Sequence, residues 1–137
     1  MREILFRGKR VDNGKWVCGC LFEIWDEAYI LWGTTNDAPN MIEIIPETVG
    51  QFTGLTDKNG TKIFEGDICR FREWNNGDMC WIGKVHYEHL QFVISGDKNK
   101  ECEIPFTLPM SFLIPENVEV IGNIHDNPEL LEVGNNA

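Results

Sequence analysis

The sequence predicts an all-β fold, and three observations predict it. Short runs rich in β-branched and aromatic residues recur along the 137 residues. Each run stops at Gly, Asn, Asp or Pro, the residues that turns favour. Where a run is long enough to show a period, the period is two. In Met79–Glu88, Met79, Trp81, Val85 and Tyr87 fall on one side and Lys84, His86 and Glu88 on the other. No linker, low-complexity tract or internal repeat breaks the pattern, so one domain is expected over residues 1–133.

The first strand is Glu3–Arg7, and Asp12-Asn13-Gly14 supplies a tight turn, because Asn and Gly tolerate positive φ. Trp16–Trp25 follows, with Trp16, Cys18, Cys20, Phe22 and Ile24 on one face. Asp26-Glu27 turns the chain into Ala28–Trp32. Gly33–Asn40 reads as a polar loop, and Met41–Ile45 as a short strand stopped by Pro46. Thr53–Asp67 reads as a run of turns, among which Asn59-Gly60 is a strong hairpin signal. Ile68–Trp74 is a strand, Asn76-Gly77-Asp78 a hairpin turn, Met79–Glu88 the returning strand and Leu90–Ser95 its continuation. Glu101–Phe106 is a candidate further strand. Pro105, Pro109 and Pro115 make the next stretch irregular, with room for one helical turn at Ser111–Ile114. Val118–Ile121 is the last strand. Asn127-Pro128-Glu129 then opens a short C-terminal helix, with Asn as N-cap, Pro at the first position and an acid in the first turn. Residues 134–137 are expected to form a disordered tail. The strands from Ile68 onward, with the one near Val118, suffice for a small SH3-like barrel portion within residues 51–126. The strands of residues 1–50 would make an additional N-terminal sheet.

Composition narrows the function classes. With 42% hydrophobic and 25% charged residues, the chain is neither disordered nor a membrane protein. The longest apolar uncharged stretch, Ile104–Pro115, holds three prolines and is too short to span a bilayer. No apolar signal segment follows Met1, so a cytoplasmic protein is expected. The net charge of −10 argues against nucleic-acid binding, which depends on Lys and Arg meeting phosphates. The charge is uneven: Arg2, Arg7, Lys9, Arg10 and Lys15 open the chain, whereas no Lys or Arg follows Lys100. Such asymmetry can orient like subunits or steer a basic partner, but a plain solvated surface that keeps the protein soluble is the preferred reading.

The chemistry-bearing residues form no recognisable constellation. Cys18, Cys20, Cys69, Cys80 and Cys102 are odd in number and include no C-x-x-C pair, so neither a zinc ribbon nor a redox dithiol is indicated. Each reads as a small packed hydrophobe. His86 and His89 lack a third and fourth ligand, and three residues apart on a strand they face opposite ways. Cys80 and His86 share a face by parity but lie about 20 Å apart along the strand, too far to act as a nucleophile and base. No phosphate-binding glycine loop and no G-x-S-x-G elbow occurs. Trp16, Trp25, Trp32, Trp74 and Trp81 read as core and hairpin-pair residues.

Two segments carry a more specific signal. One is Gln51-Phe52-Thr53-Gly54-Leu55-Thr56-Asp57-Lys58-Asn59-Gly60-Thr61-Lys62-Ile63-Phe64-Glu65-Gly66-Asp67-Ile68. The other is Val118-Glu119-Val120-Ile121-Gly122-Asn123-Ile124-His125-Asp126-Asn127-Pro128-Glu129-Leu130-Leu131. With the opening Arg2-Glu3-Ile4-Leu5-Phe6-Arg7-Gly8, they make the chain resemble the YopX family of phage and prophage proteins. The resemblance implies a β-rich phage or prophage protein with an SH3-like portion, self-association and no enzymatic activity. It supplies no catalytic, cofactor-binding or metal-binding residue. Asp57, Asp67 and Asn123 are the polar exceptions among otherwise turn-forming or burying positions.

The expectation is therefore an accessory protein that binds a host or phage protein, as a homo-oligomer, without cofactor, metal or membrane. Two alternatives stand beside it. One is a nucleic-acid-associated module using Arg7, Lys9, Arg10, Arg70 and Arg72, or its inverse, an acidic nucleic-acid mimic. The other is an enzyme with an unfamiliar site around His86, His89 and Asp67.

Overall fold

A computed structural model describes residues 3–72, 80–96 and 106–131. The chain divides into two compact units, Met1–Gly54 and Leu55–Ala137. Its strands form two antiparallel sheets, as the turn-punctuated pattern predicts.

The first unit holds β1 (Phe6–Lys9), β2 (Trp16–Ile24), β3 (Glu27–Thr35), β4 (Ala38–Ile44) and most of β5 (Gly50–Thr56), which carries the chain across the boundary. The strand order is β4-β3-β2-β1-β5, followed by the short β6 (Lys62–Phe64). The expected loop Gly33–Asn40 is instead a hairpin. β3 continues through a bulge between Leu31 and Gly33, and the chain reverses at Asn36-Asp37 with φ of 53° and 65°. Asn and Asp accept the left-handed conformation, so two residues suffice for the reversal. The turn after β2 falls at Trp25-Asp26, with β3 already begun at Glu27. Part of the expected run of turns from Thr53 is also strand. β5 runs on to Thr56 and has the short β6 as its hydrogen-bonded neighbour, and this cross-strand pairing outweighs the local turn preference of Thr and Gly. Ala28, Ile30 and Ile44 form the buried cluster, with Phe6, Val17, Leu21, Ile42 and Val49 packed against it. Gly8 lets Ile44 approach, since a Cβ there would stand 2.4 Å from its Cδ1.

The second unit contains β7 (Asp67–Arg72), β8 (Cys80–Glu88), β9 (Gln91–Gly96), β10 (Phe106–Pro109) and β11 (Val118–Asn123), in the order β10-β9-β8-β7-β11. The meander and the returning last strand match the expectation, but among the described residues the sheet does not close into a barrel. β10 and β11 are its two edges. Ile63, Cys69, Phe71, Val85, Ile94, Met110 and Val118 form its core. Trp81 and Phe106 meet edge to face at 5.2 Å, and each ring touches Phe71. The expected helical turn at Ser111–Ile114 is two 3₁₀ turns, Met110–Phe112 and Pro115–Asn117.

The expected C-terminal helix is a single 3₁₀ turn, Pro128–Leu131. Asn127 turns its Oδ1 back to the Asn123 N–H at 3.3 Å rather than forward as an N-cap, and Leu130 N–H donates to Asn127 O, three residues back. The Asn76-Gly77-Asp78 turn, Trp74, Cys102, most of the Glu101–Phe106 strand and the 134–137 tail lie outside the described residues.

Candidate interaction surface

The polar residues singled out from sequence have separate structural employment. His86 Nε2 lies 2.8 Å from Ser95 Oγ across the β8–β9 ladder. Glu88 stands between the histidines, 3.7 Å from His86 and 3.8 Å from His89, which is exposed at the hairpin tip. Asp67 is 1% exposed, and its Oδ2 accepts the Phe64 N–H at 2.7 Å, closing the Glu65-Gly66 turn. Asp57 is buried as well. Its Oδ1 accepts the N–H groups of Asn59 and Thr61, and its Oδ2 accepts that of Val120 on β11 at 2.9 Å. Burial pushes this carboxyl up, but the three backbone N–H groups and Lys58 outweigh it and hold it below its usual range. Asn123 Oδ1 accepts the N–H groups of His125 and Asp126. Gly122 beside it leaves room for the Asn127 side chain, since a Cβ there would stand 2.6 Å from Asn127 Oδ1 and displace it. Among the described residues no cluster of His, Cys, Asp and Glu has the arrangement to hold a metal ion.

The cysteines divide. Cys69 is buried and packs as the expected hydrophobe, whereas Cys18 and Cys20 are exposed. They belong to the face of β2 that sequence alternation grouped as Trp16, Cys18, Cys20, Phe22 and Ile24. The structure keeps that grouping and turns it outward; Val17 and Leu21 face the core instead. Cross-strand pairing extends the outward face. Cys20 opposes Leu31, which opposes Met41, and Phe22 opposes Tyr29, which opposes Glu43. The rings of Phe22 and Tyr29 stand 6.2 Å apart. At the β1 end, Arg7 lies over the Trp16 ring at 4.6 Å and Lys9 at 5.5 Å. Tyr29 donates its hydroxyl to Glu27, and this bond raises the phenol to about 12, so the ring stays neutral.

This face is the feature that sequence reasoning missed. Phe22, Ile24 and Met41 are exposed on it, and Trp25 and Trp32 are exposed beside it. The two tryptophans were expected in the core or in hairpin pairs; they pack in neither. A signal was present in the two-sided apolar character of β2, because a strand apolar on both faces must show one of them to something.

Comparison with known proteins now decides the family. The family model described as YopX protein matches residues 5–132. The chain belongs to the YopX family. Among curated proteins none matches. A similar solved structure is that of protein EF1440 from Enterococcus faecalis, 23% identical, with a TM-score of 0.54 over 96% of this chain and 100% of that one. At that identity the likeness concerns the fold alone. In this YopX chain the two family-like segments meet along β11, an edge strand of the second sheet. Lys58 N–H donates to Val118 O, and Ile124 N–H to Gly66 O. Their polar residues serve those joints. No helix among the described residues is long and apolar enough to cross a membrane.

Proposed function

We propose that this YopX chain is a phage or prophage accessory protein that acts by binding another protein, as a homo-oligomer, and catalyses no reaction. The observation that carries the reading is the outward apolar face of β2, β3 and β4. A contiguous exposed apolar surface on a soluble chain is characteristic of an interaction site. An acidic chain of net charge −10 repels its own copies, so association favours an apolar patch such as the one that Phe22, Ile24 and Met41 expose. The nucleic-acid reading draws less support. Arg70 is bound by Glu119, which also draws Lys58 to 3.8 Å, and Arg7 and Lys9 stack on Trp16.

The test compares the wild-type chain with a Phe22→Glu, Met41→Glu double variant. Sedimentation equilibrium reads self-association, and a nuclease-treated pull-down from bacterial lysate reads partners. The wild type should associate and the variant should not, at unchanged far-ultraviolet circular dichroism. A wild-type chain that stays monomeric, retains no macromolecule and turns over a metabolite would overturn the proposal.

A further inference from the structure

Two-residue hairpin tips join β2 to β3, β3 to β4 and β8 to β9, and not all of them carry the residues their backbone favours. A two-residue tip with left-handed backbone favours Gly, Asn or Asp, and Asn36-Asp37 complies. Trp25, at the tip between β2 and β3, does not: its φ is 53°. For a bulky L-residue that conformation is strained relative to its ordinary one. Packing does not offset the cost, because Trp25 is 90% exposed. Neither the turn nor the core accounts for an indole here. A strained, fully displayed aromatic side chain points to a contact outside the chain.

The surroundings specify that contact. Phe22 and Ile24 continue the indole as an exposed apolar ridge, and Glu23, Asp26 and Glu27 flank it, all exposed. Arg7, Lys9, Arg10 and Lys15 belong to the opposite end of β2, where Lys9 pairs with Trp16 and Arg10 N–H bonds Lys15 O. At a rise of about 3.3 Å per residue that end is roughly 30 Å from the tip. The tip is thus an aromatic peg with an acidic collar. Trp is among the residues that most often anchor a protein interface.

We propose that the β2–β3 tip, Ile24–Glu27, is a docking peg: Trp25 enters an apolar cleft on a partner protein, and Lys and Arg on the cleft's rim meet Glu23, Asp26 and Glu27. This rests on the protein-binding reading above and names the chemistry of the partner. A second copy of this chain is a poor occupant. Its net charge is −10, and Arg10 is engaged by Asp12, Arg70 by Glu119, and Arg7 and Lys9 by Trp16. An anionic bilayer would repel the collar.

The experiment places the photoreactive residue p-benzoylphenylalanine at position 25 of the full chain, irradiates it in bacterial lysate and maps the adducts by mass spectrometry. The cross-linked protein is then purified and titrated against the wild-type chain and its variants. The proposal expects the adduct in an apolar cleft bordered by Lys or Arg. Trp25→Gly should weaken binding at least tenfold while melting at the wild-type temperature or above, and Trp25→Phe should retain most of the affinity. Glu23→Gln, Asp26→Asn and Glu27→Gln together should abolish the weakening of binding by salt. Adducts only to the chain's own copies, adducts to an acidic surface, no adduct, or undiminished binding by Trp25→Gly would each overturn it. If Phe22→Glu, Met41→Glu abolishes binding and Trp25→Gly does not, the peg falls and the broader reading stands; if neither does, both fall.

Discussion

At the scale of the residue, Asp57 shows how an apparent functional side chain becomes a structural one. Its carboxylate satisfies three backbone N–H groups that would otherwise be left without acceptors, two in its own turn and one on β11. Asp57→Ala should lower stability by about 2 kcal/mol, since it removes charge-assisted bonds to three backbone N–H groups, one of them on β11. The pH dependence has a definite sign. A carboxyl held below its ordinary value in the fold contributes stability that is full above the unfolded value, about 4, and is lost as pH falls through the lower folded value. Asp57→Asn should therefore flatten the acid side of the stability curve while lowering the neutral plateau, which urea melts at a series of pH values would show. An acid limb as steep as the wild type's would sink the assignment.

At the scale of the element, the hairpin tips separate what a turn needs from what a sequence places there. The β8–β9 tip resembles the Trp25 tip in disobedience: His89 and Leu90 have φ of 52° and 67°, and Leu90 is 88% exposed. Replacing the pair by Asn-Gly should raise stability by about 1–2 kcal/mol, because both residues then suit the left-handed turn. Thermal unfolding of the double variant checks this, and a lower melting temperature would mean that the present side chains contribute contacts of their own. The same element explains why Glu88 lies near both histidines without making a site. The tip carries His89 outward while the ladder holds His86 to Ser95.

At the scale of the whole molecule, the distribution of thiols reports which surfaces are covered. Cys18 and Cys20 lie on the outward face of the first sheet and Cys69 lies in the core of the second unit. A maleimide added to the folded chain should modify Cys18 and Cys20 and spare Cys69 until denaturant is present, as peptide mapping would reveal. Protection of Cys18 and Cys20 that appears with rising protein concentration would locate self-association on that face; labelling of Cys69 in the folded chain would contradict the core.

The amino-acid sequence by itself determined the all-β class, the parity of β2, the meander through β7, β8 and β9, and the family. These follow from local information: turn residues state where a strand ends, and alternation states which side chains share a face. Tertiary structure alone decided which face of β2 is core, because both faces are apolar and the choice depends on Gly8 admitting Ile44 and on Ile30 across the ladder. It also decided that Gly33–Asn40 closes as a hairpin through the bulge at Leu31–Gly33, and that Gly50 and Gln51 pair with β1, a partner distant in sequence. It left the second sheet open where a closed barrel was expected, because the pairing of edge strands is written in no local pattern. For the same reason the exposed aromatic residues, among them Trp25, became visible only once the core had been filled by others.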